Sequence, residues 1–119
     1  MNKINISQKL AQFNDHWNPR IIGELNKQHV KLAKIKGEFI WHKHDDEDEM
    51  FLVLKGTLKI EFRDRTETIQ ENEIIIVPKG VEHKPIADEE VSIMLFEPAT
   101  TINTGDLENE RTRKNLESI

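Results

Sequence analysis

His42 and His44, two histidines separated by one residue, are the first feature of this chain whose residue types and spacing suggest chemistry. In a β-strand, side chains two positions apart lie on the same face, about 7 Å from each other along the strand. Two imidazoles on one face can converge on a single metal ion, because a bond from a histidine nitrogen to zinc is only about 2 Å long. The pair therefore indicates a candidate metal site, while histidines without such a role also occur on exposed strands.

An acidic run, Asp45–Glu49, follows these histidines directly. Such a run is usually a solvated loop, but a bound divalent cation would also relieve the mutual repulsion of its carboxylates. A carboxylate added to imidazoles suits Fe, Mn, Co, Ni or Zn. A further histidine, His83, follows the turn-forming sequence Pro78-Lys79-Gly80. It is either a surface strand residue or a further member of the site.

The elements that must position these residues are short strands between residues 20 and 98. Thr57–Arg63 alternates apolar and charged side chains with period two, which predicts a half-buried strand. The other expected strands are Arg20–Leu25, Gln28–Lys36, Phe39–Lys43, Met50–Leu54, Thr66–Gln70, Glu73–Val77, Val81–Ile86 and Val91–Phe96. The four apolar residues that end Glu73–Val77 predict burial of that strand on both faces. About eight or nine short strands, with turn signals roughly every 8–12 residues, indicate an all-β sandwich or barrel.

Both ends of the chain are more polar than this central region. Near the N-terminus, Ser7 is the expected N-cap of a short helix with Leu10, Phe13 and Trp17 at helical spacing. The C-terminal segment is expected to form a helix from about Leu107, a surface arm or a disordered tail. We therefore divide the chain into a helical segment, residues 1–19, a barrel, residues 20–98, and a tail, residues 99–119.

The length and charge of the chain restrict its function. It has 119 residues, no cysteine, 22 acidic and 17 basic residues, and a net charge of −5. The lack of cysteine excludes a disulfide framework, a thiolate zinc site and a cysteine nucleophile. The acidic balance argues against a nucleic-acid partner. No apolar stretch approaches the roughly 20 residues of a membrane span, and no signal-peptide pattern is present, so we expect a cytoplasmic protein without a membrane partner.

Taken together, the motifs resemble those of the cupin superfamily. The first cupin motif contains a glycine, His-x-His, a glutamate and a second glycine, and it is matched here by Gly37, His42, His44, Glu49 and Gly56. The second motif contains a glycine, Pro-x-Gly, a histidine and an asparagine, and it is matched here at Asn72, Pro78, Gly80, His83 and Ala87. Asn72 and Ala87 are substitutions in the second motif, and Gly37 lies one residue nearer the first histidine than in the family pattern. None of these departures affects a ligand position.

The resemblance implies a cupin double-stranded β-helix, also called a jelly-roll barrel, and the residue pattern adds a short N-terminal helix and a polar C-terminal tail. It also implies one divalent metal ion, which is Fe, Mn, Ni, Co or Zn. The ligands implied by the motif are His42, His44, Glu49 and His83. A shorter form of the motif would select Asp48 in place of Glu49.

Four protein ligands leave open positions on an ion that prefers five or six. An α-hydroxy ketone, diketone or diol could occupy them. The ion would act as a Lewis acid in isomerase or epimerase chemistry, or with Fe(II) in dioxygenase chemistry. Stand-alone domains of this kind are likened to the mannose-6-phosphate isomerase family. The alternative is a non-catalytic metal- or sugar-binding module. The expected apolar walls of the pocket are Phe51, Phe62, Met94 and Phe96.

The strand after the acidic run also predicts a partner. Its alternation directs Glu49, Phe51 and Val53 inward and leaves Leu52 and Leu54 outward. The outward leucines are too apolar for solvent, so they require a second layer. We expect a homodimer to supply that layer, with packing under the N-terminal segment as the alternative.

Overall fold

Seven strands and one short helix make up the regular structure of the computed structural model, which describes residues 1–119. The helix and strands are α1 (Ile6–Leu10), β1 (Arg20–Leu25), β2 (Gln28–Glu38), β3 (Glu49–Lys55), β4 (Leu58–Phe62), β5 (Thr66–Ile69), β6 (Ile74–Val77) and β7 (His83–Pro98). All named strand pairs are antiparallel. The expectation of an all-β jelly-roll barrel is confirmed. The structure contains no helix that is long and apolar enough to cross a membrane.

The longest strand, β7, organises the sheet. It pairs with β2 along most of its length, with β4 near its start and with β3 near its end. The sequence predicts two separate strands here, and that prediction is wrong. The polar residues between them form a bulge. The pairing with β2 passes from Ile35↔Val91 to Gly37↔Ala87, so that a step of two positions on β2 corresponds to a step of four on β7. The bulge allows one strand to bend and so contribute to both sides of the barrel.

The barrel interior is filled by the inward side chains that alternation predicts. Phe51 and Val53 on β3, with Ile93 and Leu95 on β7, belong to the main buried cluster. A second, smaller cluster lies outside the sheet under the N-terminal segment, where Leu54 packs with the residues around α1. The N-terminal segment therefore covers part of the outward face for which the sequence predicts a partner.

Two predicted details differ in the structure. Helix α1 is capped by Asn5, whose side chain accepts a hydrogen bond from the Gln8 amide at 2.9 Å, and not by Ser7. The helix ends at Leu10, so it is shorter than the apolar spacing predicts. Strand β6 is an edge strand that pairs only with β3. Ile74 and Ile76 are therefore 56% and 59% exposed, and the predicted burial on both faces is wrong.

The C-terminal tail contains no helix and packs along the barrel. Thr104 is completely buried, and its hydroxyl is hydrogen-bonded to that of Thr112 at 2.8 Å. Near its end, Ser118 forms a parallel bridge with Ile21 of β1. Of the three conformations expected for the tail, the structure shows a surface arm.

Candidate metal centre

The segment between β2 and β3 carries the two paired histidines. The sequence predicts a strand at Phe39–Lys43, but the segment is irregular and has one bridge, between His42 and His83. Each of these residues donates its amide proton to the carbonyl of the other, at 3.1 and 2.9 Å. The bridge keeps the segment extended at this point, and His42 and His44 both direct buried side chains inward.

Four side chains predicted from the motifs meet inside the barrel. One ligand atom from each of His42, His44, Glu49 and His83 lies within 4.8 Å of the others, and all four residues are buried. Glu49 Oε1 lies 3.4 Å from His83 Nε2 and 3.5 Å from His44 Nε2. Two bonds of about 2.1 Å to one ion hold their ligand atoms roughly 3.0–3.4 Å apart. The cluster thus has the dimensions of a mononuclear metal site.

The histidine tautomers also fit a metal ion. Nδ1 of His42 donates to the Ile40 carbonyl, and Nδ1 of His83 donates to the Val81 carbonyl, both at 2.9 Å. With the proton on Nδ1, each Nε2 presents its lone pair to the cluster. Both ring nitrogens of His44 are buried and have no hydrogen-bond partner. Since buried polar atoms are usually paired, this orphaned imidazole fits a metal ligand.

The electrostatics of the cluster keep its groups in the forms that bind a cation. Burial, followed by the charge of His83, lowers the pKa of His42 to about 4. Burial alone would raise the pKa of Glu49, but the adjacent carboxyl of Glu97 and the imidazoles of His44 and His83 hold that pKa well below its usual range. A neutral imidazole and an ionised carboxylate are the forms that ligate metals.

A cavity of about 50 Å³ lies next to the cluster and is lined by His42 and Glu49 together with mainly apolar side chains. This volume exceeds the roughly 10–15 Å³ that one water molecule requires. Asn103 and Leu116, both from the tail, complete the lining. The tail therefore forms part of the wall around the site.

The structure distributes the four expected pocket residues among different surfaces. Phe51 lines the cavity. Met94 and Phe96 point to the outer face of β7, because Leu95 between them points inward. Phe62 lines a separate cleft near the turn at Pro78. Only Phe51 of the four therefore adjoins the metal cluster.

The acidic run is mostly outside the cluster. Asp48, the alternative ligand, is exposed, and its Oδ1 accepts a hydrogen bond from the Lys79 amide at 2.9 Å. It thereby supports the turn that precedes His83. Glu47 accepts a hydrogen bond from the Thr100 hydroxyl at 2.9 Å. The geometry thus favours Glu49 as the carboxylate of the cluster.

A buried ion pair beside the cluster is absent from the sequence-based site. Lys31 on β2 and Glu97 on β7 are 2% and 3% exposed, and Lys31 Nζ lies 2.7 Å from Glu97 Oε1. Both residues line the cavity. Burial, followed by the negative charge of Glu49, raises the pKa of Glu97, while Lys31 opposes that rise. The sequence contained a signal for Lys31, because it lies two residues before the inward Ala33 and therefore on the same face of β2.

Comparisons with known proteins agree with this architecture. A crystal structure of a cupin-2 domain containing protein from Shewanella frigidimarina is 54% identical, with a TM-score of 0.79 over 80% of this chain and 93% of that chain. The structure of protein NMB1881 from Neisseria meningitidis is 33% identical, with a TM-score of 0.75 over 82% of this chain and 99% of that chain.

Sequence comparison gives the same result. The Bacillus subtilis protein YdbB is 44% identical over 64 residues, which are 53% of this chain and 57% of that protein. The chain thus spans little more than half the length of that curated relative. The family profile described as a cupin domain matches residues 28–97. With that match over more than half of its length and the barrel described above, the chain belongs to the cupin family.

Proposed function

We propose that this cupin binds one divalent metal ion through His42, His44, Glu49 and His83, and binds a small oxygen-bearing molecule beside it. The observation that carries the proposal is the convergence of these four buried side chains, whose ligand atoms all lie within 4.8 Å of one another. The donor set suits Fe, Mn, Co, Ni or Zn. Bound there, such an ion supplies Lewis-acid catalysis.

The cavity supports a small molecule of the sugar, ketone or diol type as the ligand. His42 and Glu49 are at once members of the cluster and part of the cavity wall. A molecule in the cavity therefore lies next to the cluster. The apolar remainder of the wall, including Phe51, excludes water and surrounds the carbon skeleton.

Isomerase or epimerase activity is the reaction class that we propose for this arrangement, with Fe-dependent dioxygenase activity as the other enzymatic class. The role of the chain is to orient its imidazoles, keep them neutral and hold the ligand in a site that contains little water. Burial lowers the pKa of His42 to about 4 and so preserves its neutral form. These properties support catalysis but do not select the substrate.

A non-catalytic metal- or sugar-binding module is the second candidate, and the size of the cavity favours it. The tail residues Asn103 and Leu116 help to limit the cavity to about 50 Å³. A protein that retains a small ligand without turnover needs no larger cavity. In either case we expect a cytoplasmic homodimer. The exposed Ile74 and Ile76 on β6 support a second copy as the partner.

The first experiment is elemental mass spectrometry of freshly purified, untagged protein, which measures the identity and stoichiometry of the metal. About one equivalent of a transition metal per chain is expected. Protein that contains no metal and takes up none of the five ions when they are added would contradict the proposal.

The second experiment separates the reaction classes. Metal-loaded protein is incubated with hydroxyacetone in D₂O, and NMR follows deuterium incorporation next to the carbonyl. Exchange above that of a His44→Ala control supports isomerase or epimerase chemistry. Oxygen consumption by the Fe(II) form supports a dioxygenase, and saturable binding without either reaction supports the module.

A further inference from the structure

Stability alone does not account for the buried ion pair of Lys31 and Glu97. The two residues lie among inward apolar side chains on β2 and β7, and their Nζ and Oε1 atoms are 2.7 Å apart. Taking two charges out of water costs free energy that their attraction only partly returns, and apolar residues of similar size often serve stability as well. The contacts of the pair therefore indicate its role.

One oxygen of this pair lacks a partner. Lys31 donates to Oε1 of Glu97, but Oε2 is buried and accepts no hydrogen bond in the protein. The group next to the Glu97 carboxyl is the carboxyl of Glu49, which when ionised has no proton to donate. Glu97 nevertheless lines the same cavity as His42 and Glu49. A buried acceptor without a donor is costly. A bound molecule with a donor group would supply the hydrogen bond that Oε2 lacks.

Asn103 and Trp17 also line the cavity, but their polar groups already form hydrogen bonds within the protein. The Asn103 side chain donates to the Arg111 carbonyl and accepts from the Arg113 amide, both at 2.8 Å. Nε1 of Trp17 donates to the Lys36 carbonyl at 2.9 Å. Glu97 Oε2, unlike these groups, accepts no hydrogen bond from the protein, so it can accept one from a ligand next to the metal cluster.

We propose that Glu97 Oε2 is the hydrogen-bond partner of a hydroxyl group on the bound molecule. This inference rests on the proposed function, because it places the ligand in the cavity beside the metal site. A hydroxyl group suits the position in either protonation state of Glu97, because it both donates and accepts. A ligand carboxylate would instead meet the negative charge of Glu49. The site thus selects a neutral hydroxylated molecule.

Two double variants of the full-length chain test this role without leaving an unpaired buried charge. Lys31→Met with Glu97→Leu removes the hydrogen-bonding group, and Lys31→Met with Glu97→Gln retains one. Both proteins are loaded with Co²⁺, and hydroxyacetone is the probe. The visible spectrum of the cobalt reports its binding, and the metal content of each variant is measured separately.

Both variants are expected to bind one Co²⁺ with an affinity within about threefold of the unmodified protein. Hydroxyacetone should bind the Glu97→Gln variant within about threefold of the unmodified protein, and the Glu97→Leu variant roughly tenfold more weakly, as loss of one buried hydrogen bond predicts. Equal probe affinities in the two variants would overturn the inference. So would loss of Co²⁺ from the Glu97→Leu variant alone, because Glu97 would then act through the metal site.

The outcome also distinguishes this inference from the proposed function. If hydroxyacetone leaves the cobalt spectrum of the unmodified protein unchanged, the proposed binding of small oxygen-bearing molecules fails, and the role of Glu97 fails with it. If the unmodified protein binds the probe and the variants do not differ, only the role of Glu97 fails. Should the Glu97→Leu variant not fold, Glu97→Met in the same Lys31→Met background replaces it.

Discussion

His42 and His83 are joined by two reciprocal backbone hydrogen bonds of 3.1 and 2.9 Å, and their ring centroids lie 4.2 Å apart. His42 belongs to the first cupin motif and His83 to the second, and hydrogen bonds between their backbones hold the two residues together. Their spacing therefore does not require a bound ion. A site held in this way binds its metal without first paying to order both ligands.

His44 provides the most direct test of metal binding. The replacement His44→Ala removes one of four candidate ligands, so the affinity for a divalent metal should fall at least roughly 100-fold, more than loss of a supporting contact costs. The barrel should remain folded, because neither ring nitrogen of His44 is hydrogen-bonded. Calorimetric titration measures the affinity, and circular dichroism measures the folding.

His29→Ala is the matched control for this variant, since His29 lies on β2, outside the metal cluster. It should bind metal like the unmodified protein. If both variants retain full metal occupancy, His44 is not a ligand and the proposed ligand set is wrong.

The depressed pKa of His42 predicts how the metal-free protein responds to acid. That pKa is about 4, against an ordinary value of 6.5. Between these pH values the unfolded chain binds a proton at His42 that the folded chain does not. The free energy of unfolding should therefore fall as the pH drops from 6.5 to 4, by up to about 3 kcal/mol from this residue. Urea denaturation in the presence of a chelator, repeated across this range, measures the change.

The variant His42→Gln isolates that contribution from the neighbouring His83, His44 and Glu49. Its stability should depend less steeply on pH between 6.5 and 4. An unchanged slope in this variant would show that other groups produce the acid sensitivity, and that burial does not lower the pKa of His42 as described.

The predictable part of this structure is what local spacing encodes. The joint match at His42, His44, Glu49 and His83 indicates the cluster because a motif places ligand types at positions that strand geometry brings together. Alternation also predicts correctly that Glu49 points inward on β3.

What the sequence does not predict depends on long-range pairing. Lys31 and Glu97 are separated by 66 positions, and nothing local to either residue indicates that β2 and β7 lie side by side. The exposure of Ile76 has the same cause, because an apolar run is identical in sequence whether its strand lies at the centre or at the edge of a sheet. The bulge in β7 likewise appears in sequence as a break between two strands.

The pair of Lys31 and Glu97 should have opposite effects on stability when broken and when replaced. Lys31→Met alone leaves Glu97 buried beside Glu49 without its cation, which should lower the free energy of unfolding by about 3–5 kcal/mol. Lys31→Met with Glu97→Leu removes both charges and should restore most of that loss. Urea denaturation compares them.

The exposed pair of Lys59 and Asp88, at 3.3 Å, supplies the control for this comparison. Lys59→Met should change the free energy of unfolding by less than about 1 kcal/mol, because exposed ion pairs contribute little. A double variant as unstable as Lys31→Met alone would mean that packing, and not an unpaired charge, causes the loss.

Gly105 tests how the tail supports the metal centre. It has a φ of +64°, and a Cβ atom added there would overlap the carbonyl of Lys43, the residue between the two paired histidines. Because the overlap is with backbone and not with a flexible side chain, Gly105→Ala should lift the tail and raise its rate of cleavage in limited proteolysis about tenfold. Gly37→Ala is the control, because Gly37 has a φ of +86° with open space around it. That control bears only the conformational cost of about 1–2 kcal/mol. Equal cleavage of the two variants would show that backbone conformation alone, and not the close approach to Lys43, requires glycine at Gly105.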